Sequence, residues 1–479
     1  MSQNNSSSPA SSLATQGSVQ QASVQQKVER NRRALTERPL KTSQPTGATL
    51  ATLGIRNSIP LMHGSQGCCA FAKVYLIQHF REPVPIQNSA VDQIAAVMGA
   101  DSNLMEALVL LCEKHQPELI SVITTGLTEM QGSDIDRVVK EFKVAHPQFS
   151  HIHVVTMATP DFVGSMQTGF ANGVSALVKQ IARAPVVKAR RKRQVNLLCS
   201  VAMTPADVEL LHRYLDAFDL STIMLPDLSV SMDGHLADDD FSPTSAGGTS
   251  VLELEEMASS AATLVFGESL FGVGQWLQQK FAVPCFEFSS LMGMANTDAL
   301  VMRLAELSGK PVPAWLTRAR KRLQDAMLDS HFHLSTAPIA MAMESDMALG
   351  YTALLTEQGC EISRLVTATD SPLLARLPIK KIVVGDLSDL EPALDKVSLV
   401  IGNTHTANMC EPKLPVLRAG YPCHDRYGTA DLLQIGYEGA RSRLFAMVNI
   451  LLAQHQDEVP AHVSRYRFGP ETVSQNVAV

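Results

Sequence analysis

In the run Pro60-Leu61-Met62-His63-Gly64-Ser65-Gln66-Gly67-Cys68-Cys69-Ala70-Phe71-Ala72-Lys73, two glycines lead a cysteine into what reads as a helix. At a helix N-terminus the dipole and the unpaired N–H groups stabilise negative charge, and the thiolate is the form of cysteine that ligates iron. Gly64 and Gly67 carry no side chain, so the backbone there lets a bulky inorganic cluster approach and turns N–H groups toward its sulfides. Cys68 is thus a candidate metal ligand, with Gly64 and Gly67 as candidate cofactor-binding positions beside it. A tight turn ending in two buried cysteines would leave the same residues in the same order, and spacing alone does not choose between the two.

Other reactive side chains offer less. Eight cysteines in 479 residues are too sparse for a disulfide scaffold. No C-x-x-C pair occurs, so a zinc ribbon or a ferredoxin-type run is absent and any metal centre must draw ligands from distant segments or from a second chain. Cys112 falls on the apolar stripe of a helix and is assigned to packing. The pairs His151/His153 and His331/His333 have the i, i+2 spacing of one strand face but no third ligand beside them, and metal binding is not expected at either. Gly272-Val273-Gly274 lacks a third glycine and no G-x-x-x-x-G-K-[ST] run occurs, which argues against a nucleotide site. Gly247-Gly248-Thr249 leads into a capping box, Ser250-x-x-Glu253, and reads as a loop-to-helix junction. With no G-x-S-x-G motif either, no catalytic residue is assigned. Asp238-Asp239-Asp240 reads as an exposed loop.

The elements that must position Cys68 follow from hydropathy patterning. A chain of this length with 45% hydrophobic residues has room for about three domains, each with a core. Its net charge of −7 argues against nucleic acid as a partner. No basic start with an apolar run is present, and no stretch approaches the roughly 20 apolar residues of a bilayer span, so a cytoplasmic protein without membrane contact is expected. Residues 1–33 are rich in Ser, Gln and Asn and are expected to form a disordered tail.

Beyond the tail, short apolar runs alternate with amphipathic segments, the pattern of α/β domains with parallel sheets. Strands are expected at Leu119–Thr124, Ile152–Thr156, Val195–Cys199, Thr222–Leu225, Thr263–Phe266, Ile382–Val384 and Leu399–Ile401. A helix is expected after Asn103, with Asn103-x-x-Glu106 as its capping box and Leu104, Leu108, Leu111 and Cys112 on its buried face. A strand-helix-strand unit over Val195–Leu225, with Pro205 at the first helical position, recurs over Ile339–Val366. Two Rossmann-like domains are therefore expected at 193–333 and 335–435, after a first α/β domain at 34–190 that carries Cys68. The basic run Lys188–Arg193 reads as a solvated linker between the first two.

The run His63–Cys68, then His79-Phe80-Arg81-Glu82-Pro83, Val97-Met98-Gly99-Ala100-Asp101 and Thr124-Thr125-Gly126-Leu127-Thr128-Glu129, resembles the nitrogenase component 1 superfamily in order and spacing. Thr159–Phe162, Asp227-Leu228 with Asp233–Leu236, Asp325–Asp329 and Ile401–Asn403 continue the likeness from about Leu40 to the last helix. The resemblance implies three Rossmann-like domains, with the C-terminal helix at 436–479 packing back on the first. Catalytic β subunits of the family supply three cysteines to their P cluster, at places matching Ser43, Cys68 and Gly126; only Cys68 remains here.

Those two losses, with the reading around Gly126, resemble the family's scaffold-type β-like subunits, on which the iron-molybdenum cofactor of nitrogenase matures without independent catalysis. The resemblance then implies a two-plus-two heterotetramer with an α-like partner and a 4Fe-4S cluster shared at the interface. Cys68 would give that cluster one thiolate and the partner three. It also implies a transient cofactor precursor held mainly by the partner, docking of the family's reductase, and passing contacts with cofactor delivery and acceptor proteins. Cys69, where the family usually has threonine, diverges from Cys68 by about a quarter turn and is assigned to packing; Ser43 is a weak alkoxide candidate. The alternative is a catalytic β subunit, of a nitrogenase or of a vanadium-system homologue.

Overall fold

The structure, a computed structural model, describes residues 28–31, 36–185, 190–236 and 242–457. Of the expected tail, residues 1–27 and 32–33 lie outside this set, as do Asp238–Asp240. Glu29–Arg30 forms a strand, β1, where disorder was expected. Its backbone extends the edge of a sheet, with Glu29 beside Val383 and Arg30 beside Val384, and charges fix it there: Arg30 to Asp370 at 2.7 Å and Lys381 to Glu29 at 3.0 Å.

The first domain runs α1 (Gln44–Leu53), β2 (Ser58–His63), α2 (Gln66–Phe80), β3 (Gln87–Asn88), α3 (Gln93–Met98), α4 (Asp101–His115), β4 (Leu119–Thr124), α5 (Gly126–Gln131), α6 (Ile135–Ala145), β5 (His153–Met157) and α7 (Met166–Ile181). Its parallel sheet has the order β3-β2-β4-β5. Every residue of β2 and β4 is buried, as befits strands covered by helices on both faces. All ten residues of α1 are buried as well. It lies tight against α7 because Gly47 and Gly169 leave no Cβ to strike Met166 O and Gln44 O. Helix α4 begins at Asp101, two residues before the expected box. Gly99, at φ +115°, turns the chain there, and Asn103 sits inside the first turn, its amide donating weakly to Ala90 O at 3.5 Å.

The second domain runs β6 (Arg191–Leu198), α8 (Pro205–Asp216), β7 (Ser221–Leu225), α9 (Val251–Glu256), β8 (Ser260–Phe266), α10 (Phe271–Phe281), β9 (Cys285–Phe288), α11 (Met294–Ser308) and α12 (Ala314–Leu334), with sheet order β7-β6-β8-β9. Thr204 and Asp207 cap α8 reciprocally and Pro205 opens it. Two expectations fail here. Arg191–Arg193, read as linker, begin β6, where Arg191 forms a two-bond ion pair with Glu256 at 2.6 and 2.7 Å. His331 and His333 lie on α12 rather than on a strand, because Leu316, Leu323, Ala326, Ser330 and Leu334 keep one helical face buried to its end. Lys188 and Ala189 lie outside the described residues.

The third domain runs β10 (Ile339–Ala342), α13 (Ser345–Glu357), β11 (Ile362–Thr367), β12 (Ile382–Val384), α14 (Glu391–Leu394), β13 (Leu399–Gly402), α15 (Thr404–Cys410) and β14 (Val416–Arg418), in sheet order β1-β12-β11-β10-β13-β14. The last helix, α16 (Gly436–Asp457), does not pack back on the first domain. Tyr437, Ala440, Leu444, Met447 and Leu451 join the core that α11, α12 and the third sheet share. Residues 458–479 lie outside the described set. Polar staples tie the domains together: Gln167 of α7 donates to Ser345 Oγ at 2.8 Å and accepts from Asp346 N at 3.0 Å, and Asp346 accepts from Ser200 and Ser269 at 2.7 and 2.6 Å. No helix among the described residues is long and apolar enough to cross a membrane.

Candidate functional site

Parallel strands β2 and β4 end side by side, His63 opposite Thr124, so α2 and α5 begin next to each other at the carboxyl edge of the first sheet. Outside such an edge, ligands find backbone N–H groups that no strand has used. His63 is buried, its ring bonded to Ser89 Oγ at 2.9 Å and Ser133 Oγ at 3.2 Å, and burial lowers its pKa to about 4. It is a neutral structural residue. Its carbonyl accepts from Thr125 Oγ1 at 3.2 Å and Thr128 Oγ1 at 2.9 Å, which locks the start of α5 to the end of β2.

Ser65 is the N-cap of α2, with Gln66, Gly67 and Cys68 as its first three residues. Gln66 and Gly67 are exposed and Cys68 is half-buried. The Ser65 hydroxyl lies 3.3 Å from Cys68 Sγ, within hydrogen-bonding distance of that sulfur. A Cβ on Gly67 would meet nothing nearer than Ser65 Oγ at 4.0 Å, so the face beside Cys68 is open. Gly64 differs. A Cβ there would lie 2.6 Å from Thr125 Cγ2 and closer still to Thr125 Oγ1, so packing within the chain already requires glycine at this position.

Cys69 turns the other way. It is buried in the core between the first and second domains, 3.8 Å from Gln87 O, and burial raises its thiol pKa. Two adjacent cysteines therefore face different environments, as a helical step demands.

Ser43 and Gly126 lie on the same edge. Ser43 is the N-cap of α1, its hydroxyl 2.7 Å from Thr46 Oγ1; Gly126 is the first residue of α5. The loop after β5 joins them: Asp161 accepts from Gln44 N at 3.1 Å, and a Cβ on Gly126 would lie 3.3 Å from Asp161 Cβ. The three helix starts named by the resemblance thus share one surface, and a single thiol stands on it. Among the described residues no three His, Cys, Asp or Glu side chains gather to hold a metal ion. This donor set fits one corner of an iron-sulfur cluster.

Around this edge the surface is apolar. Phe71 is 82% exposed, Val97 82%, Met98 81% and Met130 78%, with Ile94 and Phe162 also exposed; they come from α2, α3, α5 and the Asp161 loop. Periodicity did not single them out, because an apolar residue gives the same signal whether it meets the chain's own core or another protein.

The chain matches the family model described as nitrogenase component 1 type oxidoreductase over residues 43–452. It is 41% identical to the nitrogenase iron-molybdenum cofactor biosynthesis protein NifN of Klebsiella pneumoniae, covering 91% of this chain and 95% of that one. It is 40% identical to the protein of the same name from Nostoc sp., covering 88% and 94%. Among solved structures it resembles one titled Nitrogenase Cp1 at pH 6.5, with a TM-score of 0.84 and 31% identity over 91% of this chain and 98% of that one.

Proposed function

The chain belongs to the nitrogenase component 1 type oxidoreductase family, in its NifN branch, and from that premise we propose that it is one half of a cytoplasmic scaffold for iron-molybdenum cofactor biosynthesis. The partner is a NifE-type subunit, in a two-plus-two heterotetramer. A 4Fe-4S cluster sits between the two, with one iron on Cys68 and the other three on the partner's thiolates. When bound, such a cluster supplies one-electron relay. NifE holds the maturing precursor for the most part, the reductase NifH docks on the pair, and delivery and acceptor proteins come and go.

The observation that carries this reading is the lone half-buried thiol of Cys68 on an edge where Ser43 and Gly126 occupy the other two helix starts. An edge with one thiol cannot complete a four-iron site by itself. Within the scaffold this chain's residues have distinct work. Gly67 keeps the approach to Cys68 clear, and the Ser65 hydroxyl donates to the sulfur. Thr125 and Thr128, bonded to His63 O, hold the edge rigid. The exposed Phe71, Val97 and Met98 exclude water where the partner seats, and exposed apolar surface of that kind marks a protein contact.

A matched pair of substitutions in the co-expressed complex tests the reading. Cys68→Ala should remove the fourth ligand, so that iron per heterodimer falls and the paramagnetic resonance signal of the cluster disappears or changes. Cys69→Thr should leave both unchanged. The reverse pattern, with Cys69→Thr stripping iron and Cys68→Ala retaining it, would overturn the ligand assignment. Nitrogenase-like reduction of dinitrogen or acetylene by the complex, with reductase and ATP supplied, would instead favour the catalytic β subunit.

A further inference from the structure

Where the three domains meet, a cavity of about 350 Å³ opens between His79 at the end of α2, Met203 and Thr204 before α8, Met347 of α13, the β14 region and α16. Met203, Met347, Leu417 and Ile450 make much of its wall apolar. Most of its polar groups are already engaged. His79 Nδ1 accepts from Cys423 N at 3.0 Å, and burial, lowering its pKa to about 3, keeps the ring neutral. Thr204 Oγ1 donates to Leu432 O at 2.8 Å and Gln434 Nε2 to Ala202 O at 3.3 Å. Arg418 is neutralised by Glu411 and Asp425 at 2.6 and 2.7 Å.

Arg443, on α16, is the buried cation that no carboxylate neutralises. It is 6% exposed and lines the cavity. Its Nε has no hydrogen-bond partner, and the partner its guanidinium does have, the Tyr351 hydroxyl, is neutral and itself donates to Gln434 Oε1 at 3.2 Å; no ion pair with a carboxylate forms among the described residues. The carboxylate of Asp207, three residues beyond the cavity-lining Thr204, is occupied by the backbone N–H groups of Gln434 and Ile435 at 2.7 and 3.1 Å. A guanidinium cannot shed its proton in a protein, so burial leaves a full positive charge without a counter-ion, an arrangement that costs stability unless an anion completes it.

We propose that this cavity binds one small organic monocarboxylate, its charge on Arg443 and its hydrocarbon part against Met203, Met347, Leu417 and Ile450. Arg426 also lines the cavity but is solvent-exposed, so the one buried cation without a counter-ion calls for one negative charge. The planar fork of arginine matches a carboxylate, and the apolar wall favours an acid with an aliphatic body over a bare inorganic oxyanion. The site is separate from Cys68, and the proposal does not rest on the cluster.

The test is calorimetric titration of the full chain in its co-expressed complex, at fixed ionic strength, with hexanoate, acetate, hexanamide and inorganic phosphate. Hexanoate should bind once per chain. Acetate should bind at least tenfold more weakly, and hexanamide and phosphate not measurably. Arg443→Gln should weaken hexanoate at least tenfold, with Arg443→Lys intermediate. Without added acid, Arg443→Gln should melt at the same temperature as the parent or higher, since it removes an unpaired buried charge. Met203→Trp, which fills the cavity and leaves the charge, should also block hexanoate and tests the site without altering Arg443. No hexanoate binding, equal binding to Arg443→Gln or Met203→Trp, tighter binding of phosphate, or a lower melting temperature for acid-free Arg443→Gln would each overturn the proposal.

Discussion

Two glycines three residues apart, Gly64 and Gly67, should respond in opposite ways to the same added methyl group. On Gly64 the new carbon would stand 2.6 Å from Thr125 Cγ2 and 3.0 Å from Thr125 Cβ, against the roughly 3.5–4.0 Å at which carbon atoms rest. Thr125 cannot simply swing aside. It is fully buried, it caps α5, and its hydroxyl donates to His63 O at 3.2 Å. Gly64→Ala therefore incurs overpacking of about 1–3 kcal/mol, plus about 1 kcal/mol where the cap is lost. On Gly67 the methyl meets only Ser65 Oγ at 4.0 Å, and replacing glycine by alanine within a helix gains about 0.5–1 kcal/mol. At roughly 2–4 °C per kcal/mol for a domain of this size, Gly64→Ala should lower the melting temperature by about 5–15 °C and Gly67→Ala should hold or raise it. Thermal unfolding by circular dichroism reads both. In the complex the order reverses for iron: Gly67→Ala intrudes on the open face beside Cys68 and should reduce iron per heterodimer while leaving stability intact. Equal destabilisation by the two variants would refute the packing argument, and full iron with unchanged spectra in Gly67→Ala would refute the role given to that open face.

Buried His63, with its pKa lowered to about 4 by burial, should make the protein acid-sensitive. Its contribution is complete above the unfolded value of about 6.5 and is lost as pH falls through 4, on the order of 3 kcal/mol, so denaturant titrations of His63→Asn should show a flatter loss of stability across that window. Gln167→Ala leaves Asp346 N without its bond and Ser345 Oγ with only Thr369 Oγ1 at 3.2 Å, at the junction of the first and third domains, and should cost about 1–3 kcal/mol and broaden the unfolding transition. Paired Phe71→Glu and Val97→Glu substitutions place charge on the exposed apolar edge. They should leave this chain folded but abolish its co-purification with the partner subunit; intact co-purification would exclude that edge as the contact.

The sequence was most legible where buried strands are short aliphatic runs. Leu119–Thr124 and Ile382–Val384 appear with the expected bounds. It was silent at α1, Gln-Pro-Thr-Gly-Ala-Thr-Leu-Ala-Thr-Leu, which has no apolar stripe because it is buried all round, and periodicity reports only helices with a wet side. Pro60 hid β2, since proline argues against a central strand, yet β2 pairs with β3 and β4 alike. The apolar face of α16 was legible but its partner was not, because a stripe does not say which core it will meet. At the site, the step from Gly67 to Cys68 and the divergence of Cys69 follow from local geometry. The tight packing of Gly64 on Thr125, 61 residues away, is non-local, as is the isolation of Arg443, which depends on where every carboxylate ends up.

Helix α2 carries a feature of interest at each end: Cys68 in its first turn and His79, lining the Arg443 cavity, in its last. Eleven residues at 1.5 Å per residue separate them by about 16 Å, beyond the roughly 7–10 Å within which substitutions usually couple. His79 is wedged against Phe80 and Tyr421, with ring centroids 4.6 and 4.2 Å away, so filling the cavity has no loose side chain to push along the helix. The two proposed sites should therefore behave independently. In the double variant Cys68→Ala with Arg443→Gln, iron per heterodimer should match Cys68→Ala alone and hexanoate affinity should match Arg443→Gln alone. Saturating hexanoate should leave the cluster's paramagnetic resonance spectrum unchanged in the parent complex. A spectrum that shifts with hexanoate, or a double variant outside those limits, would mean that α2 moves as a lever between the sites, and the rigid packing of His79 would then be the wrong description of its last turn.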